Sequence, residues 1–199
     1  MTMNTKLVMS ALVGALGVLA NAQNLVANGN FESGTGALGA NSWATFTTAS
    51  PLTGWTVLPT GNVIVVGQGS TFTWLTPSPS KEMDLSGVAD TVGSGIKQTL
   101  ATIVGQTYDL KLDVYSVTGS IEINAGNSTW TRTNVSTRSL AETFTFTANS
   151  ASTDISFISR AGIWNHIDNV SVVAAVPEPA TMAVLGLGIV GLGRRKRSK

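Results

Sequence analysis

The chain contains no cysteine, a single histidine and few charges, with 12 Lys/Arg and 11 Asp/Glu among 199 residues. Lack of cysteine excludes disulfides, thiolate metal sites and a cysteine nucleophile, so any stable body must come from core burial. His166 would have to serve any catalytic triad alone, and the sequence holds neither a G-x-S-x-G elbow nor an H-E-x-x-H helix. With no partner in sight, it reads as a surface or packing histidine. Eleven acids leave two-carboxylate glycosidase chemistry open, yet no pair stands out, and the expectation is a non-catalytic protein.

Basic residues are also scarce where they would matter for nucleic acid. Between Gln23 and Val176 there are six Lys/Arg against ten Asp/Glu, and the remaining basic residues sit at the two ends. A body with a net charge of −4 has no basic patch to neutralise phosphates, which excludes nucleic-acid binding.

Long apolar runs occur only at the termini. Leu7–Ala20 follows Lys6 and precedes the small-residue pattern Ala20-Asn21-Ala22, so residues 1–22 read as a secretory signal peptide, a helix removed before Gln23. A buried N-terminal helix is the competing reading. The second run, Thr181–Gly193, is as a helix about 20 Å long against a hydrocarbon core of about 30 Å, a marginal single transmembrane span. Arg194, Arg195, Lys196 and Arg197 follow it, which stops transfer and holds the C-terminus on the cytoplasmic side with the body outside. Pro177 and Pro179 cannot propagate a helix, so the segment just outside the membrane is expected to be accessible to a processing enzyme. Gly186-Leu187-Gly188-Ile189-Val190-Gly191 fits the dinucleotide pattern by spacing, but it follows no strand and lies inside the apolar run.

Val176-Pro177-Glu178-Pro179, the apolar run and the arginine-rich end, in that order, resemble the PEP-CTERM sorting signal of certain Gram-negative bacteria. The resemblance implies export through the secretion machinery and a transient inner-membrane anchor. An exosortase then cleaves the tail, and the body passes to the cell surface or extracellular matrix. Residues 176–199 form this signal and residues 23–175 the body; a permanent single-span anchor is the alternative.

What the body has in plenty is alternation. Tyr108, Leu110, Leu112 and Val114, then Ile121 and Ile123, Phe144 and Phe146, Ile155 and Phe157, Val170 and Val172 recur at every second position, with threonine on the facing positions. Such spacing predicts nine to eleven half-buried antiparallel strands in an all-β, two-sheet sandwich, with a meander barrel as the structural alternative. "NLVANGNFESG", "LTGWTV", "MDLSG", "GIKQTLATIVGQTYDLKLDVYS" and "HIDNVSVV" resemble, in order, galactose-binding-like jelly rolls of the domain of unknown function 642 and choice-of-anchor type. That resemblance implies a jelly-roll fold, and in related calcium-bearing carbohydrate-binding domains it implies Glu32 and Asp168 as structural calcium ligands.

On strand parity, Asp168 shares a side with Val170 and Val172 and is expected to face the inside, where it needs a partner, with the Glu32 turn or backbone amides as candidates. Trp55 is expected in the core, while Trp74, Trp130 and Trp164 lie beside polar or turn residues and are the candidates for stacking on sugar rings. The functions left standing are an exported surface or matrix protein that binds polysaccharide, an envelope interaction or spacer module without a sugar site, and a weak glycoside hydrolase.

Overall fold

The computed structural model describes residues 23–36, 38, 42–67 and 81–175. The expected signal helix and transmembrane helix, the sorting residues Pro177–Pro179 and Arg194–Arg197, and Trp74 lie outside these residues. Nine strands are present among the described residues, and no helix. They are β1 Trp43–Phe46, β2 Thr56–Val57, β3 Val63–Val66, β4 Glu82–Asp84, β5 Gly95–Ala101, β6 Thr107–Ala125, β7 Ser128–Thr147, β8 Ser152–Ala161 and β9 Asn165–Ala174.

Every pairing is antiparallel, and the long β6 joins two layers. Its first half, Tyr108 to Ser116, pairs with β9, which continues through β4 and β3 to β1. Its second half, from Ser120 to Ala125, pairs with β8, which continues through β5 to β2. β7 follows β6 along its whole length, and the register of that hairpin slips between Leu112 and Ser120, where the two strands pass from one layer to the other. Bulges are the expected device at such a crossing, because the extra residues let a strand bend without losing the ladder on either side. The result is an all-β jelly-roll-like sandwich.

The alternation read from sequence is the inside of this sandwich. Leu110, Leu112, Ile121, Ile123, Ile155, Phe157 and Val172 all belong to one buried cluster that also takes in Val63, Val65, Met83 and Ile96. Trp55 is buried as expected, tilted against Phe31 at 5.8 Å and edge-on to Phe157 at 5.9 Å between ring centroids. β7 contributes Phe144 and Phe146 to the core, packs Trp130 and Val135 against it, and otherwise turns mainly threonine, serine and arginine outward. Polar side chains on this outer edge discourage pairing with another chain.

The N-terminal segment lies along the outer half of β9. Leu25 N–H donates to Val172 O at 2.9 Å and Val170 N–H to Gly29 O at 2.9 Å. Gln98 holds the same segment from the other layer, accepting from Ala27 N–H at 2.8 Å and donating to Ala27 O and Gly54 O. Gly29 runs so close to β9 that a Cβ there would meet Val170 O at 1.9 Å. The atom it would meet is backbone, so Gly29→Ala must displace one strand; a cost of roughly 1–3 kcal/mol is expected, read as a lower midpoint in urea with an unchanged slope.

Candidate functional site

The outward face of β4, β9 and β6 is not a solvated surface. Register sets Asp84 beside His166 and His166 beside Tyr115, while Asp113 stands beside Asp168. Between these rows the core-facing residues are Met83, Ile167 and Val114. Glu82, Asp84, His166, Asp168 and Asp113 are nevertheless all buried, with His166 and Glu82 fully so.

Asp168 therefore differs from the parity expectation. Ile167 and Val170 both belong to the core, three positions apart, which a regular strand cannot achieve. The register between β6 and β9 slips there, and Asn169 takes a left-handed φ of 52°. That bulge turns Asp168 to the outer face, among acids instead of under the hydrophobic core. Its Oδ1 accepts from Asn169 N–H at 2.7 Å, and Asn169 Nδ2 donates to Asp113 Oδ2 at 2.9 Å. Burial first, and then Glu82, Asp113 and Glu32, push the Asp168 carboxyl up to about 8. Glu32, the other expected calcium ligand, accepts from Lys81 N–H at 2.7 Å. Among the described residues no three histidine or acidic side chains converge as a metal-binding group.

His166 is the one cation-capable group in the array, and it is neither at the surface nor simply packed. Its Nδ1 lies 2.7 Å from Glu82 Oε1 and its Nε2 lies 3.8 Å from Asp84 Oδ2. Burial is the largest influence on His166 and works to lower its pKa, but Asp84 and Glu82 together outweigh it and hold the imidazole above its ordinary value. Asp84 is raised, chiefly by burial, against the opposing pull of His166.

Asp84 also connects this array to solvent, because it lines a pocket of about 210 Å³ with Trp43, Ile64, Gly87, Val88, Asp90 and Trp164. Ile64 and Asp84 are cross-strand neighbours on β3 and β4, so the floor is the outer face of the sheet. The walls come from the start of β1 and from two loops. Trp43 opens β1 and is 45% exposed. Trp164 closes the β8–β9 turn with a φ of 56°, beside Gly162, where a Cβ would meet Thr118 O at 2.3 Å. Gly87, also left-handed, lies so close that a Cβ would meet Asn62 O at 2.2 Å, and Asn62 Oδ1 accepts from Val88 N–H at 3.0 Å. Ser86 braces the same loop: its carbonyl accepts from Thr91 N–H at 2.9 Å within the loop, and its hydroxyl accepts from Asn165 N–H at 3.2 Å at the start of β9.

Of the tryptophans read as candidates, Trp164 is in this pocket. Trp130 is on β7, half-buried against the core and 5.3 Å from the Phe144 ring centroid. Trp43, Glu82, Asp84 and Asp113 were not anticipated. "KEMD" carried the available signal, an acid on each side of a core methionine.

β9 ends at Ala174, and Ala175 N–H makes the last ladder bond of the body, to Thr107 O at 2.9 Å. Residues 175–198, which begin at that point, match the model of the PEP-CTERM protein-sorting motif. The chain ends in a PEP-CTERM sorting motif. This motif marks an exported protein whose C-terminal membrane anchor is processed by an exosortase. Comparison with curated protein sequences finds no match. Among solved structures, the body ahead of the motif is similar to a CBM35 from Paenibacillus barcinonensis (16% identity, 66% of this chain and 99% of that one, TM-score 0.42). It is similar also to a CBM4 structure (15% identity, 75% and 99%, TM-score 0.44) and to TmCBM61 in complex with β-1,4-galactotriose (12% identity, 77% and 100%, TM-score 0.40).

Proposed function

We propose that the body is a non-catalytic binding module for cell-surface or matrix polysaccharide, and that the Trp43–Trp164 pocket holds the sugar. The observation that carries this reading is the composition of the pocket: two tryptophans and Ile64 for the apolar face of a pyranose, and Asp84 and Asp90 to accept from its hydroxyls. Rigid support of the walls by Gly87, Asn62 and Ser86 keeps the ordering cost of binding low.

Delivery belongs to the same proposal. The secretion machinery removes residues 1–22, the run Thr181–Gly193 with Arg194–Arg197 holds the body outside the inner membrane of a Gram-negative cell, and exosortase cleavage beside Pro177–Pro179 releases it to the surface.

A calcium ion at Glu32 and Asp168 is proposed on donor chemistry alone. Carboxylate oxygens suit a hard cation, and binding one there would draw Glu32 away from Lys81.

The test is affinity electrophoresis of the purified exported protein through gels containing a panel of bacterial exopolysaccharides. Trp164→Ala and Trp43→Ala are each expected to weaken binding by about fivefold, in keeping with the ~1 kcal/mol of an aromatic stacking contact. Wild-type retardation by both variants would remove the pocket from the proposal. Retardation by no polysaccharide at all would favour a spacer module, and release of reducing ends would favour a hydrolase.

A further inference from the structure

The pocket lies at one pole of the sandwich, and the opposite pole has its own surface. Five strand ends meet there: β5 ends at Ala101, β6 begins at Thr107, β7 ends at Thr147, β8 begins at Ser152 and β9 ends at Ala174. The turn between β5 and β6 carries Ile103 and Val104 at its tip, 70% and 63% exposed, more so than the other exposed large apolar residues Trp43, Val88, Val92 and Leu140.

This turn is held firmly. Ile103 N–H donates to the Tyr108 hydroxyl at 2.9 Å, Gln106 N–H to Ile103 O at 3.0 Å and Gly105 N–H to Ala148 O at 2.8 Å. Thr102 N–H donates to Ala151 O at 3.0 Å, which fixes the turn to the neighbouring β7–β8 loop. Two adjacent β-branched side chains are thus presented outward on a braced support.

The sequences of this pole, 102–107 and 147–153, contain no charged residue; the first charges inward are Asp109 and Asp154. A lipid interface accepts such a surface, because neither a buried charge nor an open sheet edge has to be desolvated.

The same turn adjoins the chain's exit. Gln106 Nε2 donates to Ala175 O at 3.4 Å, and Ala175 N–H donates to Thr107 O. Only residues 176–180 separate Ala175 from the apolar run that begins at Thr181. Five residues span at most about 18 Å even when fully extended. The headgroup layer accounts for roughly 5–8 Å of that on each side of the hydrocarbon.

We propose that, before the tail is cleaved, Ile103 and Val104 insert into the outer interface of the bilayer that holds the tail, so that the body stands on the membrane with its pocket pointing away. The proposal rests on the tail being membrane-inserted, as the sorting motif implies. It names a lipid surface as the partner of this pole.

The test uses the full chain in phosphatidylethanolamine/phosphatidylglycerol vesicles. Because the protein has no cysteine, Val104→Cys and, at the opposite pole, Val92→Cys each give one site for an environment-sensitive fluorophore. Flotation with the vesicles reports the tail; quenching by lipids carrying a doxyl group near the headgroup reports the loop. The expected result is a blue-shifted, quenched label at position 104 and an unshifted, unquenched one at position 92, with the shift at 104 abolished by adding Ile103→Asp. A floating protein whose label at 104 stays in water overturns the proposal while leaving the tail inserted. A label that responds only when an exosortase is reconstituted alongside overturns it in favour of a protein partner, and a protein that does not float removes both.

Discussion

Replacing His166 with glutamine is expected to lower the melting temperature of the body by roughly 10 °C. The side chain stands 2.7 Å from Glu82 and 3.8 Å from Asp84, and all three are buried. Removing one partner of a buried ion pair leaves the other charge desolvated and unopposed, which costs about 3–5 kcal/mol, and at this chain length each kcal/mol moves the midpoint by roughly 2–4 °C. Most of the loss should return in the double variant Glu82→Gln/His166→Gln, since two neutral amides no longer leave a buried charge. Differential scanning calorimetry on the four members of the cycle measures the coupling. Equal destabilisation by the single and the double variant would show that the pair interacts by shape alone. The pH dependence has a definite sign. His166 has a folded-state pKa above its unfolded value, so its contribution is complete below about pH 6.5 and is lost as pH rises through the folded value.

The second large effect is of opposite direction. Asp168→Asn is expected to raise the stability of the protein in EDTA at pH 8, by an amount on the order of several kcal/mol. A carboxyl pushed up to about 8 keeps its proton in the native state across the interval above 3.8, where the unfolded chain has released it. Native protein then binds more protons than unfolded, so stability falls as pH rises through that interval and levels off above about 8. Asparagine carries no such slope. Calcium is expected to raise the melting temperature of the wild type, by neutralising the same crowding, and to leave that of Asp168→Asn unmoved. Thermal melts from pH 4 to 9, with EDTA and with calcium, read both. A wild type as stable as the variant at pH 8 in EDTA would mean that Asp168 is not under the strain its neighbours imply.

Together with Asp84, also raised by burial, these groups are expected to contribute more stability on the acid side of neutrality than on the alkaline side. The cause is local: a set of acids crowded on one sheet face with one histidine among them.

The core was legible in the sequence because alternation is what a half-buried strand writes. Leu110, Leu112, Ile121, Ile123 and Phe157 could be assigned to the inside one strand at a time, without knowing which strands were neighbours. The acid array was not legible in the same way. Glu82, Asp84 and Asp113 occupy the positions that alternation assigns to solvent, and only the packing around the sheet buries them. Asp168 was singled out for burial, but a single left-handed residue, Asn169, reverses the side on which it emerges, and period-two reasoning has no means of seeing one inserted residue. Trp164 could be picked from its turn. Trp43 could not, since it opens an ordinary strand and joins the pocket only because β1 lies beside β3.

β9 has Trp164 just before its first residue and the departing tail just after its last, and it lies between β4 and β6. Any pull between a polymer gripped at one pole and a tether at the other would therefore run along the strand axis. Under that direction of load the tension passes through the covalent backbone of β9, and the rungs to β6 from Asn165 to Ala174 are not peeled one by one as they would be by a pull across the sheet. On the proposed binding reading, drag on a held polymer would load the backbone of β9 before any ladder of the sandwich.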